Sequence, residues 1–163
     1  MSHISNKDAY KMLEERINRF PQGAPPSETL YKILSMLFTE KEASLVAQLP
    51  IKPFSVKTAS AIWKMDEVQT ENTLQKLASK AILLDVDFDS KKEYCLPPPM
   101  IGFFEFSLMR TRDDIDQKTL SELYFQYLNV EEDFIKDLFL GTETRFGKVL
   151  YRKESFLEKM SWR

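Results

Sequence analysis

Residues 55–81 contain two segments with the apolar periodicity of a helix, separated by a short turn. This feature restricts the fold more than any other feature of the chain. Ser55 can cap the first helix, whose apolar face consists of Val56, Ala59, Ile62 and Trp63. Either Asp66 or Thr70 can cap the second helix. Its apolar stripe has the i, i+3, i+4, i+7 spacing and consists of Leu74, Leu77, Ala78 and Ala81. The pattern predicts a helix–turn–helix.

A two-stranded hairpin is predicted directly after it. Apolar and acidic residues alternate with the period of a half-buried strand: Leu84, Asp85, Val86, Asp87 and Phe88. Asp89 and Ser90 make the turn, and the chain returns with Tyr94 and Leu96 on one side. Prolines 97–99 then end the pairing, because proline has no N–H to donate. We therefore predict a mainly α fold with a small β-hairpin, namely a winged helix-turn-helix core with flanking N- and C-terminal helices.

Charge weighs against DNA binding by this surface. The second helix (66–80) has three acidic and two basic side chains, and the hairpin (85–93) has four acidic and two basic ones. A winged-helix reader places these elements against DNA, where phosphate contacts supply much of the affinity. In the alternative in which DNA is bound, the reading residues would be Gln69, Thr70, Asn72, Thr73, Lys76, Lys91 and Lys92. The acids have a simpler explanation, since acids in a helix's first turn complement its dipole.

The flanking segments divide the chain into four parts. Residues 1–26 form an N-terminal helix over 7–20 and a Pro-rich connector, and residues 27–96 form the winged-helix domain. Within that domain, Ser27 caps a helix and Thr39 with Glu42 forms a capping box for the next. Residues 97–140 form a C-terminal helical extension with helices over 116–129 and around Phe134 to Phe139, and 141–163 form a tail or linker.

The segment after the hairpin is apolar on every side. We predict that it forms an interface, either in a homodimer or with another domain, through Met100, Ile101, Phe103, Phe104, Phe106 and Met109. Burying each such side chain is worth roughly 1.5–3 kcal/mol, so leaving them in water would be costly. Burial in the core of a single chain explains the same pattern equally well.

No catalytic or metal site emerges from the sequence. The only histidine is His3, so a histidine metal site or a nucleophile–histidine pair held in a core is not expected. Cys95 stands alone and is interpreted as a small hydrophobe. The segment 141–148 departs from a phosphate loop in its glycine spacing and in the residue after Lys148. Asp113, Asp114 and Asp116 suit a loop and a helix cap better than a cation. We expect a protein that is not an enzyme.

Composition limits the binding partners and the cellular location that we expect for the protein. Its 163 residues have a net charge of −2, which favours neither nucleic acid nor an anionic membrane. The one cysteine, the polar N-terminus without a secretory signal and the absence of a 20-residue apolar run predict a cytoplasmic protein that does not enter a membrane.

Three segments resemble a known family: RFPQGAPPSETLYKILSMLFTEKEASLVAQLP at 19–50, the helix–turn–helix and hairpin, and CLPPPMIGFFEFSLMRTRDDID at 95–116. They are similar to the N-terminal winged-helix region of cytoplasmic 4Fe-4S ferredoxin-like proteins of anaerobic bacteria and archaea. The resemblance covers about residues 10–152. It implies two 4Fe-4S clusters in the full-length family member, held by cysteine runs that follow this region. This chain contains no such run, so no cofactor is expected in it and no ligand residue is carried over.

The chain is thus either a domain of a longer protein, in which 141–163 lead to an iron–sulfur domain, or a relative that lost its cluster half. In both cases we expect a non-catalytic protein-interaction or dimerisation module of an electron-transfer protein. Its expected partners are a second copy, its own C-terminal iron–sulfur domain or a redox protein. The alternative is a DNA-binding transcriptional regulator.

Overall fold

The computed structural model describes residues 6–88 and 91–140. This part of the chain contains eight α-helices, two π-helical turns and one β-hairpin. In order they are α1 (Asn6–Ile17), α2 (Glu28–Leu37), α3 (Glu40–Ala47), α4 (Val56–Trp63), α5 (Glu67–Ser79), β1 (Leu84–Phe88), β2 (Lys91–Cys95), a π-turn (Pro99–Phe103), α6 (Phe104–Met109), α7 (Gln117–Phe125), a second π-turn (Gln126–Val130) and α8 (Asp133–Leu140). The expectation of a mainly helical chain with one small hairpin is confirmed.

Local capping sets the starts of the first helices. The Ser27 side chain accepts a hydrogen bond from the Leu30 N–H and starts α2. At α3, Thr39 accepts from the Glu42 N–H while the Glu42 carboxylate accepts from the Thr39 N–H, which confirms the predicted capping box. α1 packs across α3, and its Leu13 and Ile17 are fully buried.

The two helices predicted over residues 55–81 are α4 and α5. Ser55 caps α4, and Lys64 ends it in the left-handed conformation at φ 54°. Asp66 caps α5 through the Gln69 N–H. Of the two predicted caps Asp66 is thus the observed one. Thr70 lies inside α5, where it is fully buried.

The hairpin pairs β1 with β2 in an antiparallel register, with Leu84 opposite Cys95 and Phe88 opposite Lys91. On the other side of β2, Phe54 and Tyr94 exchange two backbone hydrogen bonds of 2.9 and 2.8 Å. Tyr94 is fully buried, whereas Val86 on the opposite face of the hairpin is 36% exposed. The apolar side of β1 is thus less buried than its alternation predicts, because the core lies on the Tyr94 side.

The C-terminal helices close the core around an aromatic cluster, defined as Phe103, Phe104, Tyr124, Tyr127 and Phe134. The Phe104 ring lies between 4.7 and 6.1 Å from the other four, measured between ring centroids. The Tyr127 hydroxyl donates to the Pro25 carbonyl at 2.8 Å and joins this region to the connector that precedes α2. The described part of the chain therefore shares one continuous hydrophobic core.

Candidate functional site

An open groove of about 540 Å³ lies between the hairpin and α6. One wall comes from the end of α5 and the start of β1, and the other from the end of α6 and the residues after it. Its lining is mostly apolar and consists of Ala78, Ala81, Leu83, Leu84, Asp85, Phe106, Met109, Arg110 and Thr111. We call this site the β1–α6 groove.

The predicted interface set divides between the core and this groove. Phe103 and Phe104 are 0% and 2% exposed, so they belong to the core of this chain and are unavailable to a second one. Phe106 and Met109 line the groove, and Met109 is 78% exposed. Met100 is half-buried against the core. The side chain of Ile101 lies outside the described residues.

The division follows from how the backbone turns after the prolines. The apolar segment after the hairpin forms a π-turn followed by the six-residue helix α6. The Gly102 N–H donates to the Glu105 carboxylate at 2.9 Å, and a Cβ on Gly102 would lie 3.1 Å from the Pro97 side chain. After this turn, Phe104 packs against Tyr124 of α7, with 4.9 Å between the ring centroids, while Met109 lies at the surface.

The residues named for DNA reading are only partly placed for that role. Gln69, Asn72 and Lys76 are exposed on α5, while Thr73 is half-buried and donates to the Gln69 carbonyl at 2.9 Å. Thr70, the other polar residue named on α5, is fully buried, so its side chain cannot reach a base edge. A base edge can only be read by a side chain that reaches the groove of the duplex.

Carboxylates also hold two of the exposed lysines named for DNA contact. Lys92 lies 3.1 Å from Asp85 across the hairpin, and this hydrogen bond raises the pKa of Lys92. Lys76 lies 3.8 Å from Glu42, and Lys91 is exposed at the end of the hairpin. The local electrostatics therefore remain unfavourable for phosphate.

A second, more polar cleft of about 600 Å³ lies between α2, α3 and the loop after α6. Lys80 Nζ lies 2.8 and 2.9 Å from the two Glu42 carboxylate oxygens, and Arg112 makes two hydrogen bonds of 2.8 and 2.7 Å to Asp114. Burial alone would raise the pKa of Glu42, but the hydrogen bonds from Lys80 and Thr39 outweigh it and hold the pKa below its ordinary value. The charged groups of Lys80 and Arg112 are thus both bonded to carboxylates of the same chain. These contacts stabilise the fold and leave neither side chain dedicated to a ligand in the cleft.

Reactive chemistry has little support among the described residues. They contain no cluster of three or more His, Cys, Asp and Glu side chains that could hold a metal ion. Cys95 is half-buried, and burial raises the pKa of its thiol, which disfavours the nucleophilic thiolate. Asp116 caps α7 through the Lys118 and Thr119 N–H groups, as predicted. His3 and the segment 141–148 lie outside the described residues.

Sequence reasoning missed several residues that matter to the surface and the core. Arg16 is fully buried, with its Nε donating to the Leu49 carbonyl at 3.1 Å and its Nη2 donating to Pro50. No local pattern marks a contact between residues 33 positions apart. Phe125, which is 64% exposed, lies off the predicted stripe of its helix and could have been noticed from that spacing.

The helices of the described residues are all too short or too polar to cross a bilayer. Comparison of the chain with protein-family models, with curated proteins and with solved structures gave no match.

Proposed function

We propose that this chain is a non-catalytic, winged-helix protein-interaction module. The observation that carries the proposal is the β1–α6 groove, where Met109 is mostly exposed and Phe106 is half-buried beside the apolar start of β1. A large apolar side chain held at the rim of a groove gains free energy when a partner covers it. Grooves of this kind are typical of binding sites for protein segments.

The order of elements supports the winged-helix part of the proposal. A helix–turn–helix (α4 and α5) is followed by a hairpin, and Phe54, just before α4, adds one bridge to the outer side of β2. In winged-helix proteins a short strand before the helix pair joins the hairpin to form a small sheet, and the second helix of the pair is exposed to partners. Here α5 exposes the apolar side chain of Val68 at 71%.

The electron-transfer part of the proposal rests on the three segments that resemble cytoplasmic ferredoxin-like proteins. In that setting the two 4Fe-4S clusters belong to a cysteine-rich domain, and this chain positions that domain, dimerises or contacts a redox protein. The gene sequence after the codon for Arg163 tests this part directly. Runs of the C-x-x-C-x-x-C kind would support it, and an immediate stop codon would remove the clusters from the proposal.

The groove can be tested through the solution mass of the protein. If it mediates dimerisation, light scattering will show a dimer at micromolar concentrations, and Met109→Asp will return the mass to that of a monomer. Phe125→Asp is the matched control, because it places the same charge on another exposed apolar position. A strict monomer at all micromolar concentrations would eliminate the dimer and leave a different partner for the groove.

The alternative, a DNA-binding transcriptional regulator, is favoured by one observation, the exposed amides of Gln69 and Asn72 on the first half of α5. The acids of the hairpin oppose it, since Asp85 and Asp87 are both exposed on the same face. A titration with duplex DNA at low salt separates the two functions, because electrostatic attraction is strongest there.

A further inference from the structure

Strand β1 has an open edge among the described residues, and this edge lies along the β1–α6 groove. The sheet contains β1 and β2 only, and Phe54 pairs with β2 on its far side. The side chains of Leu84 and Asp85, neighbours in β1, point to opposite faces, yet both residues line the groove. Among the described residues that line it, none belongs to β2. The groove therefore follows the open edge of β1 and does not simply cover one face of the hairpin.

This edge offers backbone hydrogen-bonding groups at Asp85 and Asp87. Tyr94 exchanges two backbone hydrogen bonds with Phe54, so Tyr94 and its cross-strand partner Asp85 form a non-hydrogen-bonded pair within the hairpin. Because such pairs alternate along antiparallel strands, the N–H and C=O groups of Asp85 and Asp87 point away from β2. In the part of the chain that the structure describes, neither residue makes a backbone hydrogen bond to another segment. Both can therefore bond to a further strand.

We propose that an extended segment of a partner protein, in which basic and apolar side chains alternate, adds to this edge as an extra strand. Peptides bind exposed sheet edges in this way, since main-chain hydrogen bonds supply affinity and alternate side chains supply specificity. The inference rests on the proposed function and deepens it by naming the class of partner that the β1–α6 groove binds.

Charge complementarity selects the basic side chains of this partner. β1 contains two acids and no base, and both acids, Asp85 and Asp87, are exposed on one face. Tyr94 shares that face; burial raises its pKa, Lys92 lowers it, and Glu71 and Asp85 raise it further. The Glu71 carboxylate of α5 thus adds negative charge beside the strand, while Lys92 lies 3.1 Å from Asp85 and neutralises part of it. Three acids therefore stand against one base around this face.

The other face of β1 selects apolar side chains. Leu84 is half-buried there and Val86 is 36% exposed. In an added strand, every second side chain would lie beside these two residues, and those between would lie beside Asp85 and Asp87. Cross-strand pairs of both kinds stabilise sheets. Arg110, the one basic residue that lines the groove, belongs to the opposite wall and not to the face that carries the acids.

The same charges disfavour the simplest competitor, which is β1 of a second copy. Antiparallel pairing of two β1 edges would bring the exposed carboxylates of Asp85 and Asp87 against their own copies, and like charges directly opposite each other destabilise a sheet. Charged side chains on an edge strand commonly prevent such self-pairing. A basic strand meets attraction at the same positions.

Fluorescence anisotropy with the full chain and a labelled peptide of sequence Lys-Val-Lys-Val-Lys tests the proposal. We expect saturable binding, and its absence would overturn the proposal. The same residues in the order Lys-Lys-Val-Val-Lys should bind at least about tenfold more weakly, because the charge is kept while the alternation is lost.

Amide hydrogen exchange followed by NMR locates the bound peptide. At saturation, the Asp85 and Asp87 amides should exchange at least about tenfold more slowly than in the free chain. The Tyr94 amide, which bonds to Phe54 at 2.8 Å, is the internal reference for an intact hairpin. Binding without protection of Asp85 and Asp87 would overturn the proposal, since the peptide would then lie elsewhere.

Methylated peptides separate strand addition from charge attraction alone. A strand bonds to one neighbour through every second N–H. N-methylation of either the lysines or the valines should therefore abolish binding, and N-methylation of the other set should be tolerated. Tolerance of both sets would overturn the proposal, and this measurement uses the wild-type chain, so it does not depend on the folding of a variant.

A charge reversal tests the role of the acids. Asp87→Lys should weaken the binding of Lys-Val-Lys-Val-Lys at least about fivefold and make Glu-Val-Glu-Val-Glu the better ligand. Glu122→Lys is the matched control, because Glu122 is an exposed acid on α7 that does not line the groove, and it should leave the affinity unchanged. An equal loss in both variants would overturn the proposal, since bulk attraction would then explain the binding.

Protection of the Asp85 and Asp87 amides that is present without peptide and disappears on dilution would also overturn the proposal, because a second copy would then supply the strand. The solution mass of Met109→Asp judges the proposed function separately. A dimer that this variant dissociates would retain the interaction module even if no peptide bound to the edge.

Discussion

Replacing Glu42 by Gln should destabilise the fold by about 2 kcal/mol, because the carboxylate of Glu42 joins two parts of the chain that are distant in sequence. Its side chain is 8% exposed and accepts from Lys80 at 2.8 and 2.9 Å. It also accepts from the Thr39 N–H at 2.9 Å. Glutamine keeps the shape and one acceptor oxygen but loses the charge. Hydrogen bonds to charged groups contribute roughly 1.5–3 kcal/mol each, and Lys80 can partly recover by reaching water.

For a chain of this length, a loss of about 2 kcal/mol lowers Tm by roughly 4–8 °C, which thermal unfolding followed by circular dichroism will resolve. Glu40→Gln is the control, since Glu40 is exposed in the same helical turn and its replacement should change stability by less than about 0.5 kcal/mol. Lys80→Met completes a double-mutant cycle, in which the coupling energy with Glu42→Gln should be about 2 kcal/mol.

The effect should depend on pH with a defined sign. The folded-state pKa of Glu42 lies below its ordinary value of 4.5, so the carboxylate contributes its full stabilisation above that pH and loses it as the pH falls through the folded-state value. Once protonated, Glu42 is nearly equivalent to glutamine, and the difference between wild type and variant should narrow in acid. A difference that stays constant from neutral pH into acid would refute the reasoning, since the charge would then play no part.

Three further outcomes are expected. Arg16→Lys should lower the free energy of unfolding measured in urea by about 1.5–3 kcal/mol, the range for a hydrogen bond to a charged group. An ammonium cannot replace the planar fork that reaches the Leu49 and Pro50 carbonyls, and an unchanged midpoint would contradict this. Phe104→Ala should lower the free energy of unfolding by about 3–5 kcal/mol, while Met109→Ala should change it by less than about 0.5 kcal/mol in the same assay. Similar losses in the two variants would mean that the core residue and the groove residue are assigned incorrectly. Fluorescence anisotropy should show no saturable binding of duplex DNA at low salt, and a salt-dependent isotherm would instead favour the regulator.

Most of the local structure was predictable from the sequence. The caps at Ser27, Ser55 and Asp116, and the capping box at Thr39, follow from interactions over two or three residues. Such contacts are specified by neighbours in the chain, so the residue types alone reveal them. The division of the chain into a unit over 27–96 and an extension stays a prediction, although the two share a core in the structure.

The candidate site was predictable only in part. The apolar segment 100–109 was recognised, but periodicity could not tell which of its residues face the core. That choice depends on α7 and α8, whose Tyr124 and Phe134 surround Phe104. The groove itself has no sequence signal, because its two walls come from separate segments of the chain.

By itself, the sequence determined where the capped helices α2, α3, α4 and α7 begin, since capping acts between near neighbours. Only the tertiary structure decided which apolar side chains lie in the core and which partners the buried charged side chains contact. Lys80 meets Glu42 across 38 positions, and Arg16 meets Leu49 across 33. Contacts at such separations depend on how whole helices pack, and a one-dimensional pattern does not contain that information.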